Sequence, residues 1–341
     1  MAGVSAGTVD RVLHHRGEVS QQSREKVEAV LERIDYRPNL HVSSIGVKRT
    51  VSIVVVLPSL SAGGYWEQIE RGIRHALYEF SNIRLKVKYF YYDQFDLFSC
   101  REVYNKALAI RCDAMLVGPT FTDETMQFVA RLEALGTPYV FVDSMIANTD
   151  PLAFFGPDSH MMGRMQARLL CESMDRSRDV VVLRARRVGD ESSVQSIVRR
   201  NSFLAYMRET YPDMRVIDGV YDASSAERSR AAFDELFAAH PAIGGIAVFN
   251  SRAYVISDYL RRRSLRDIRL VGYGMIERNL ANLREGYISY LLAERPDKQG
   301  YLAVRSILEY VLFGKRGEQL NYTPVDILIR ENADYYLREW A

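Results

Sequence analysis

From about residue 50 onward the chain repeats one pattern, a short apolar run followed by a longer segment with apolar residues at helical spacing. The runs at 51–57, 85–92, 114–117 and 139–142 read as strands, and the segments at 66–80, 101–109 and 123–135 between them read as amphipathic helices. A βα unit repeated in this way folds into a largely parallel sheet covered by helices on both faces. After 154–159 a second series begins, with strands near 180–184, 216–220, 245–249 and 269–271 and helices near 161–174, 194–211, 226–239 and 253–262. Two successive sheets imply two lobes with a cleft between them, and ligands on such sheets sit at the carboxyl ends of the strands.

The first fifty residues are of a different grain, short helical patterns rich in His, Ser and Arg, so a domain boundary is expected near residue 50. Ser5 is placed to cap a helix whose Val9, Val12 and Leu13 share a face, with Gly17 beyond its end; Ser20 is placed to cap a second whose Val27, Val30, Leu31 and Ile34 form one stripe before Tyr36, Arg37 and Pro38. Two to three compact pieces are expected of 341 residues.

Several function classes are disfavoured. The longest apolar run, 51–57, is too short to cross a bilayer, and residues 1–10 lack a basic flank followed by an apolar stretch, so a cytoplasmic protein with no membrane partner is expected. Cys100, Cys112 and Cys171 are odd in number and form no CxxC pair, against both a disulfide framework and a zinc site. No cofactor is expected. No GxGxxG loop, P-loop or metal-spaced His cluster is present, and His160 at a helix start reads as a cap or surface residue rather than a base, so an enzyme is not expected. With a net charge of only +2, any nucleic-acid contact must come from a local patch.

That patch has a recognisable text. The run Gly3-Val4-Ser5-Ala6-Gly7-Thr8-Val9-Asp10-Arg11-Val12-Leu13, followed by Val19-Ser20, Ser23-Arg24, Lys26-Val27 and Tyr36-Arg37-Pro38-Asn39, resembles the helix-turn-helix of the LacI/GalR regulators over residues 1–39. A recognition helix needs small or polar residues at its first turn, where the backbone nears base edges in the major groove, and Ser5, Ala6 and Gly7 stand there. The resemblance implies base reading by Ala6, Gly7 and Arg11, phosphate contacts by Ser5, Thr8 and Ser20, and a backbone contact by His14. Val9, Val12, Val27 and Leu31 are the expected headpiece core, and Lys48 and Arg49 add local positive charge. The family carries another helix before Gly3; the sequence begins with Met1-Ala2, where that helix would end, and a headpiece lacking this brace is expected to hold DNA poorly. Residues 40–49 resemble the family's hinge and linker, with Ile45 at the position of a leucine wedged between base steps in the minor groove. Eight residues at 40–47 that include Val42, Ser43, Ser44 and Gly46 are too few and too poor in helix formers to hold a helix alone.

Residues 50–341 are the expected effector-binding body, and nearly all of 50–336 resembles the two-lobed type I periplasmic-binding-protein body of the same regulators. The resemblance implies three crossings between lobes, near 156–159, 295–298 and 320–323, giving one lobe from about 50–157 and 296–320 and the other from about 158–295 and 321–336. It implies ligand binding by Asp143, Arg199 and Asn250, with Tyr65, Trp66 and Phe155 as candidate stacking residues. Gly274 stands where the family usually has aspartate, Ser251 replaces an aspartate after Asn250, and Glu294 replaces a glutamine. The expected effector is therefore a sugar or a sugar derivative, such as a modified or phosphorylated one, and Arg184, Arg186 and Arg187 are weaker candidates for meeting an anion. The implied whole is a homodimeric, ligand-responsive regulator, a repressor, on double-stranded, near-palindromic operator DNA. A solute-binding protein that delivers a sugar-like ligand without touching DNA is the alternative.

Overall fold

The computed structural model describes residues 2–13, 19–33, 49–186 and 193–338. At the N-terminus, α1 (Ala6–Leu13) and α2 (Gln21–Arg33) pack against each other. Each begins at a serine whose hydroxyl accepts an otherwise orphaned amide: Thr8 N donates to Ser5 Oγ at 3.2 Å, and Ser23 N to Ser20 Oγ at 3.4 Å. Val12 and Val27 are buried between the helices, whereas Ser5, Ala6, Gly7 and Arg11 are exposed. His14, Lys48 and the hinge with Ile45 lie outside the described residues. Arg49, expected to add free positive charge, is instead paired with Asp113.

The first lobe runs β1 (Val51–Pro58), α3 (Tyr65–Glu79), β2 (Leu85–Tyr92), α4 (Leu97–Leu108), β3 (Ala114–Val117), α5 (Thr122–Ala134), β4 (Tyr139–Val142) and β5 (Ala153–Gly156). The second runs α6 (Ser159–Ser173), β6 (Asp179–Ala185), α7 (Val194–Thr210), β7 (Val216–Tyr221), α8 (Ala226–Ala239), β8 (Ile243–Val248), α9 (Tyr254–Arg262), β9 (Arg269–Tyr273), α10 (Glu277–Arg284) and β10 (Tyr290–Ala293). The chain then returns to the first lobe as α11 (Pro296–Phe313) and β11 (Leu320–Tyr322), and ends in the second with β12 (Asp326–Leu328) and α12 (Ala333–Arg338). The sheet orders are β11-β5-β4-β3-β1-β2 and β12-β10-β9-β8-β6-β7. Every pairing is parallel except β10 with β12. Each sheet is buried on both faces, by one apolar cluster on either side, which is why β1, β3, β4 and β8 are nearly continuous in apolar residues.

The third crossing falls later than the 320–323 read from the sequence. Leu320, Asn321 and Tyr322 pair with Phe154, Phe155 and Gly156, so the first lobe keeps its chain through Tyr322 and the crossing lies at 323–325. A three-residue edge strand has no apolar period to announce it.

Helix α11 carries the crossing from β10 into tight contact with α3, and so fixes where the end of β10 stands relative to the first lobe. A Cβ on Gly72 would lie 1.8 Å from the Asp297 carbonyl oxygen, and one on Gly300 would lie 2.1 Å from that of Ile69. The two backbones touch because glycine faces the partner helix from each side. Among the described residues no helix is long and apolar enough to cross a membrane.

Candidate functional site

The carboxyl ends of the two sheets face one another across a cavity of about 50 Å³ lined by Tyr65, Trp66, Gln94, Thr120, Asp143, Ser193, Gln195, Arg199, Asn250, Ser251 and Glu294. Three of these residues are charged, and all three are buried: Asp143, Arg199 and Glu294.

Asp143 follows β4 with a left-handed backbone, φ +73°, a conformation that costs a non-glycine residue about 1 kcal/mol. The turn is held from behind, since the Asp143 amide lies 3.1 Å from both the Phe155 carbonyl oxygen and Gln299 Oε1. Its carboxylate accepts from Ser144 Oγ at 3.0 Å, from the Tyr65 hydroxyl and from Gln195 Nε2. Gln195 belongs to the second lobe and also donates to the Asp143 carbonyl oxygen at 3.1 Å, so one amide side chain ties the lobes together. Gln299, from α11, donates to the Glu294 carbonyl oxygen at 3.0 Å and thereby joins β4 to the crossing that carries Glu294.

Arg199 lies in the second turn of α7, where α6 presents Gly163; a Cβ there would sit 2.2 Å from the Arg199 carbonyl oxygen. The Arg199 guanidinium pairs with Glu294 and lies 4.2 Å from the centre of the Tyr273 ring, while its Nε has no hydrogen-bond partner. Burial dominates the electrostatics. Desolvation pushes Glu294 up to about 7, opposed by Arg199 and reinforced by Asp143. Desolvation likewise raises Asp143, with Arg199 and the donors from Tyr65, Ser144 and Gln195 pulling the other way. Burial works against the charge of Arg199 itself, but Glu294, Tyr273, Asp143 and Tyr65 together outweigh it, so the guanidinium stays charged.

Asn250 follows β8. Its Nδ2 donates to the Tyr221 hydroxyl at 3.0 Å and its Oδ1 accepts from the Arg252 amide at 2.9 Å. Trp66 stands edge-on to Tyr65, with ring centroids 5.4 Å apart, and its Nε1 donates to Gln94 Oε1 at 3.4 Å.

Of the residues singled out from the sequence, Tyr65, Trp66, Asp143, Arg199, Asn250 and Glu294 converge here. Two do not. Phe155 is packed into the first-lobe core with Val140 and Val142, because its position in β5 points it into the helix-covered face rather than the cleft. Gly274 lies behind Ser251, whose Cβ would be 2.9 Å from a Cβ at 274, so the wall there is Ser251. Arg184 is half-buried and Arg186 exposed, and neither lines the cavity; Arg187 is outside the described residues. His160, read as a cap or surface residue, is exposed at the start of α6, which Asp158 caps, and its Nδ1 lies 3.0 Å from Ser202 Oγ. Gln94, Thr120, Ser193 and Gln195 in the lining, and Gln299, Tyr221 and Tyr273 behind it, are the residues not anticipated. Gln195 carries a usable signal, since it opens the helix after β6; Gln299 carries none, because the sequence marks its segment only as a crossing.

Two family models match the chain. Residues 1–39 match the bacterial regulatory proteins of the lacI family, and residues 53–316 match a periplasmic binding protein domain. Catabolite control protein A of Staphylococcus xylosus is 28% identical over 131 residues, 38% of this chain and 38% of that protein. The same protein of Streptococcus mutans is 39% identical over 72 residues, 21% of each. The matches thus span well under half the length of these curated relatives. Among solved structures, a candidate LacI transcriptional regulator from Bacteroides fragilis superposes with a TM-score of 0.81 at 32% identity, covering 84% of this chain and 100% of that one. GanP, a glucose-galactose binding protein from Geobacillus stearothermophilus, superposes with a TM-score of 0.73 at 17% identity, covering 84% and 99%, a likeness of fold. A lacI-type helix pair in front of a body that matches a regulator over that regulator's whole length leaves one assignment: the chain belongs to the LacI family of bacterial regulatory proteins.

Proposed function

We propose that the chain is a DNA-binding transcription regulator, a repressor, whose operator affinity is set by a sugar-like effector held between its lobes. The observation that carries this is the pairing, on one chain, of a capped helix with an exposed first turn at Ser5, Ala6 and Gly7 and an interlobe cavity lined by charged, amide and aromatic side chains. Small residues let a helix N-terminus approach base edges, and Arg11, exposed on the same helix, has the fork that pairs with guanine. Ser5, Thr8, Ser20 and His14 are assigned to the phosphate backbone and Ile45 to the minor-groove wedge. Tyr65, Trp66, Asp143, Arg199, Asn250 and Glu294 are assigned to the effector.

The function is binding rather than catalysis. An effector enters a cavity of about 50 Å³, far below the on the order of 300 Å³ that ligand pockets occupy, so the lobes part around it and Gln195 exchanges Asp143 for the ligand. Two copies of the chain, read by a near-palindromic site, convert that lobe movement into a change in hinge folding and operator affinity, a coupling of about 1 to 3 kcal/mol. The cytoplasm is the compartment such a protein needs.

Fluorescence anisotropy on a library of short palindromic duplexes tests this, in the presence and absence of sugars. Sequence-dependent binding that a sugar shifts is the expected outcome. Sugar binding without sequence-dependent DNA binding in any ligand state would instead make the chain a solute-binding protein.

A further inference from the structure

The interlobe cavity buries two carboxyls, Asp143 and Glu294, against one guanidinium, that of Arg199. Glu294 is paired with Arg199, the cavity's only cationic side chain among the described residues; Arg199 acts on Asp143 only through its field, and the hydrogen bonds to Asp143 come from neutral donors, Ser144 Oγ, Gln195 Nε2 and the Tyr65 hydroxyl. Among the described residues no Lys, Arg or His nitrogen forms an ion pair with Asp143. A carboxylate with 4% of its surface exposed, held on a left-handed backbone at the carboxyl end of β4 without an ion pair of its own, is an expensive thing to bury. The Tyr65 and Trp66 rings wall the same cavity. Aromatic faces beside a carboxylate are the surroundings that recognise an ammonium group.

Resting on the effector-cleft assignment above, we propose that the effector is an amine-bearing polyol, an amino sugar in its protonated form, whose ammonium group is taken by Asp143 and whose hydroxyls meet Asn250, Gln195 and the Arg199–Glu294 pair. A phosphorylated or acidic sugar is selected against. Its anion would bring further negative charge beside two buried carboxyls, Asp143 and Glu294, that face a single guanidinium. A metal ion is poorly served, because the two carboxylates share the space with that guanidinium.

Isothermal titration calorimetry at pH 7 on the full chain tests the proposal with matched probes: glucose, glucosamine, glucuronate and glucose 6-phosphate, and the galacto and manno counterparts of each. In at least one series the amine is expected to bind at least tenfold more tightly than its hydroxyl parent, with neither anion exceeding that parent. Asp143→Asn is expected to bring the amine-to-parent ratio to about one. Glu294→Gln, which keeps Asp143 and also leaves the cavity neutral, is expected to reduce the ratio as well, so the test survives a misfolded Asp143 variant. A parent that outbinds its amine in every series, an anion that outbinds its parent, or a ratio unchanged in both variants would overturn the amine assignment. In those three cases sugars still bind, and loss of their binding in Arg199→Ala would leave the cleft assignment standing. Silence from every probe would sink both.

Discussion

Glu294 is the residue on which the chemistry of the cleft turns. Its carboxyl, pushed up to about 7 by burial, holds its proton more tightly in the folded chain than in the unfolded one, where a glutamate titrates near 4.5. Folding therefore takes up a proton between those two values, so stability falls as pH rises through the window and levels off above about 7. Asp143, raised for the same reason, acts in the same direction at the acid end. The melting temperature of the wild type is expected to fall more between pH 5 and pH 8 than that of Glu294→Gln, as followed by circular dichroism; parallel profiles would show that Glu294 stays ionised throughout. Arg199→Ala removes the cation from between two buried carboxylates, and a loss on the order of 3 kcal/mol is expected in a urea titration at pH 8. In the headpiece, Arg11→Ala is expected to relax specificity at one base pair by about 1 to 3 kcal/mol while leaving the effector titration unchanged, which anisotropy on singly substituted duplexes would measure.

At the scale of elements, the site depends on one helix contact that lies outside it. Helix α11 is seated against α3 by Gly72 and Gly300, and the residues at its N-terminal end are those that connect to Glu294 and present Gln299 to Asp143. Gly300→Ala places a methyl where the Ile69 carbonyl oxygen stands, so the helices must separate. A destabilisation of about 1 to 3 kcal/mol is expected from overpacking of this kind, with a loss of effector affinity although residue 300 touches no ligand. A Gly300→Ala protein with wild-type urea midpoint and wild-type affinity would show that the crossing is not positioned by this contact. The arrangement of α6 and α7 obeys the same logic: Gly163 lets the two helices close, and their closure sets the depth of Arg199.

At the scale of the whole molecule, side chains of each lobe reach into the other. Besides Gln195 and Asp143, the ring of Phe95, just after β2, packs against the second-lobe core and lies 4.5 Å from the Arg252 guanidinium. Val194 in turn packs against the first-lobe core. On the proposed mechanism, closed and open forms differ by a modest free energy, and a ligand moves the balance by its preference for one of them. Phe95→Ala is expected to favour the open form, seen as a larger radius of gyration in small-angle X-ray scattering without effector. An unchanged radius would mean that Phe95 does not help to hold the lobes closed.

Much of the fold is legible in the chain, and the limits have physical causes. Strands β2, β3 and β4 are visible at their observed bounds because their apolar and aromatic runs are set off by polar turns. Elements β11 and β12 are invisible in the sequence, because three-residue edge strands with mostly uncovered side chains are stabilised by pairing rather than by burial. Asp143, Arg199, Asn250 and Glu294 can be named one by one only through the family resemblance, which places each at a cleft position. Phe155 is misplaced by sequence reasoning because alternation along a strand does not say which face is covered. What the amino-acid order determined by itself is local: caps, periods, the small first turn of α1 and the residue types available to a cleft. Only the tertiary structure decided that Arg199 pairs with Glu294 and that the hydrogen bonds to Asp143 come from neutral donors, because Arg199 and Glu294 stand 95 residues apart along the chain and meet where α11 draws the crossing against α3.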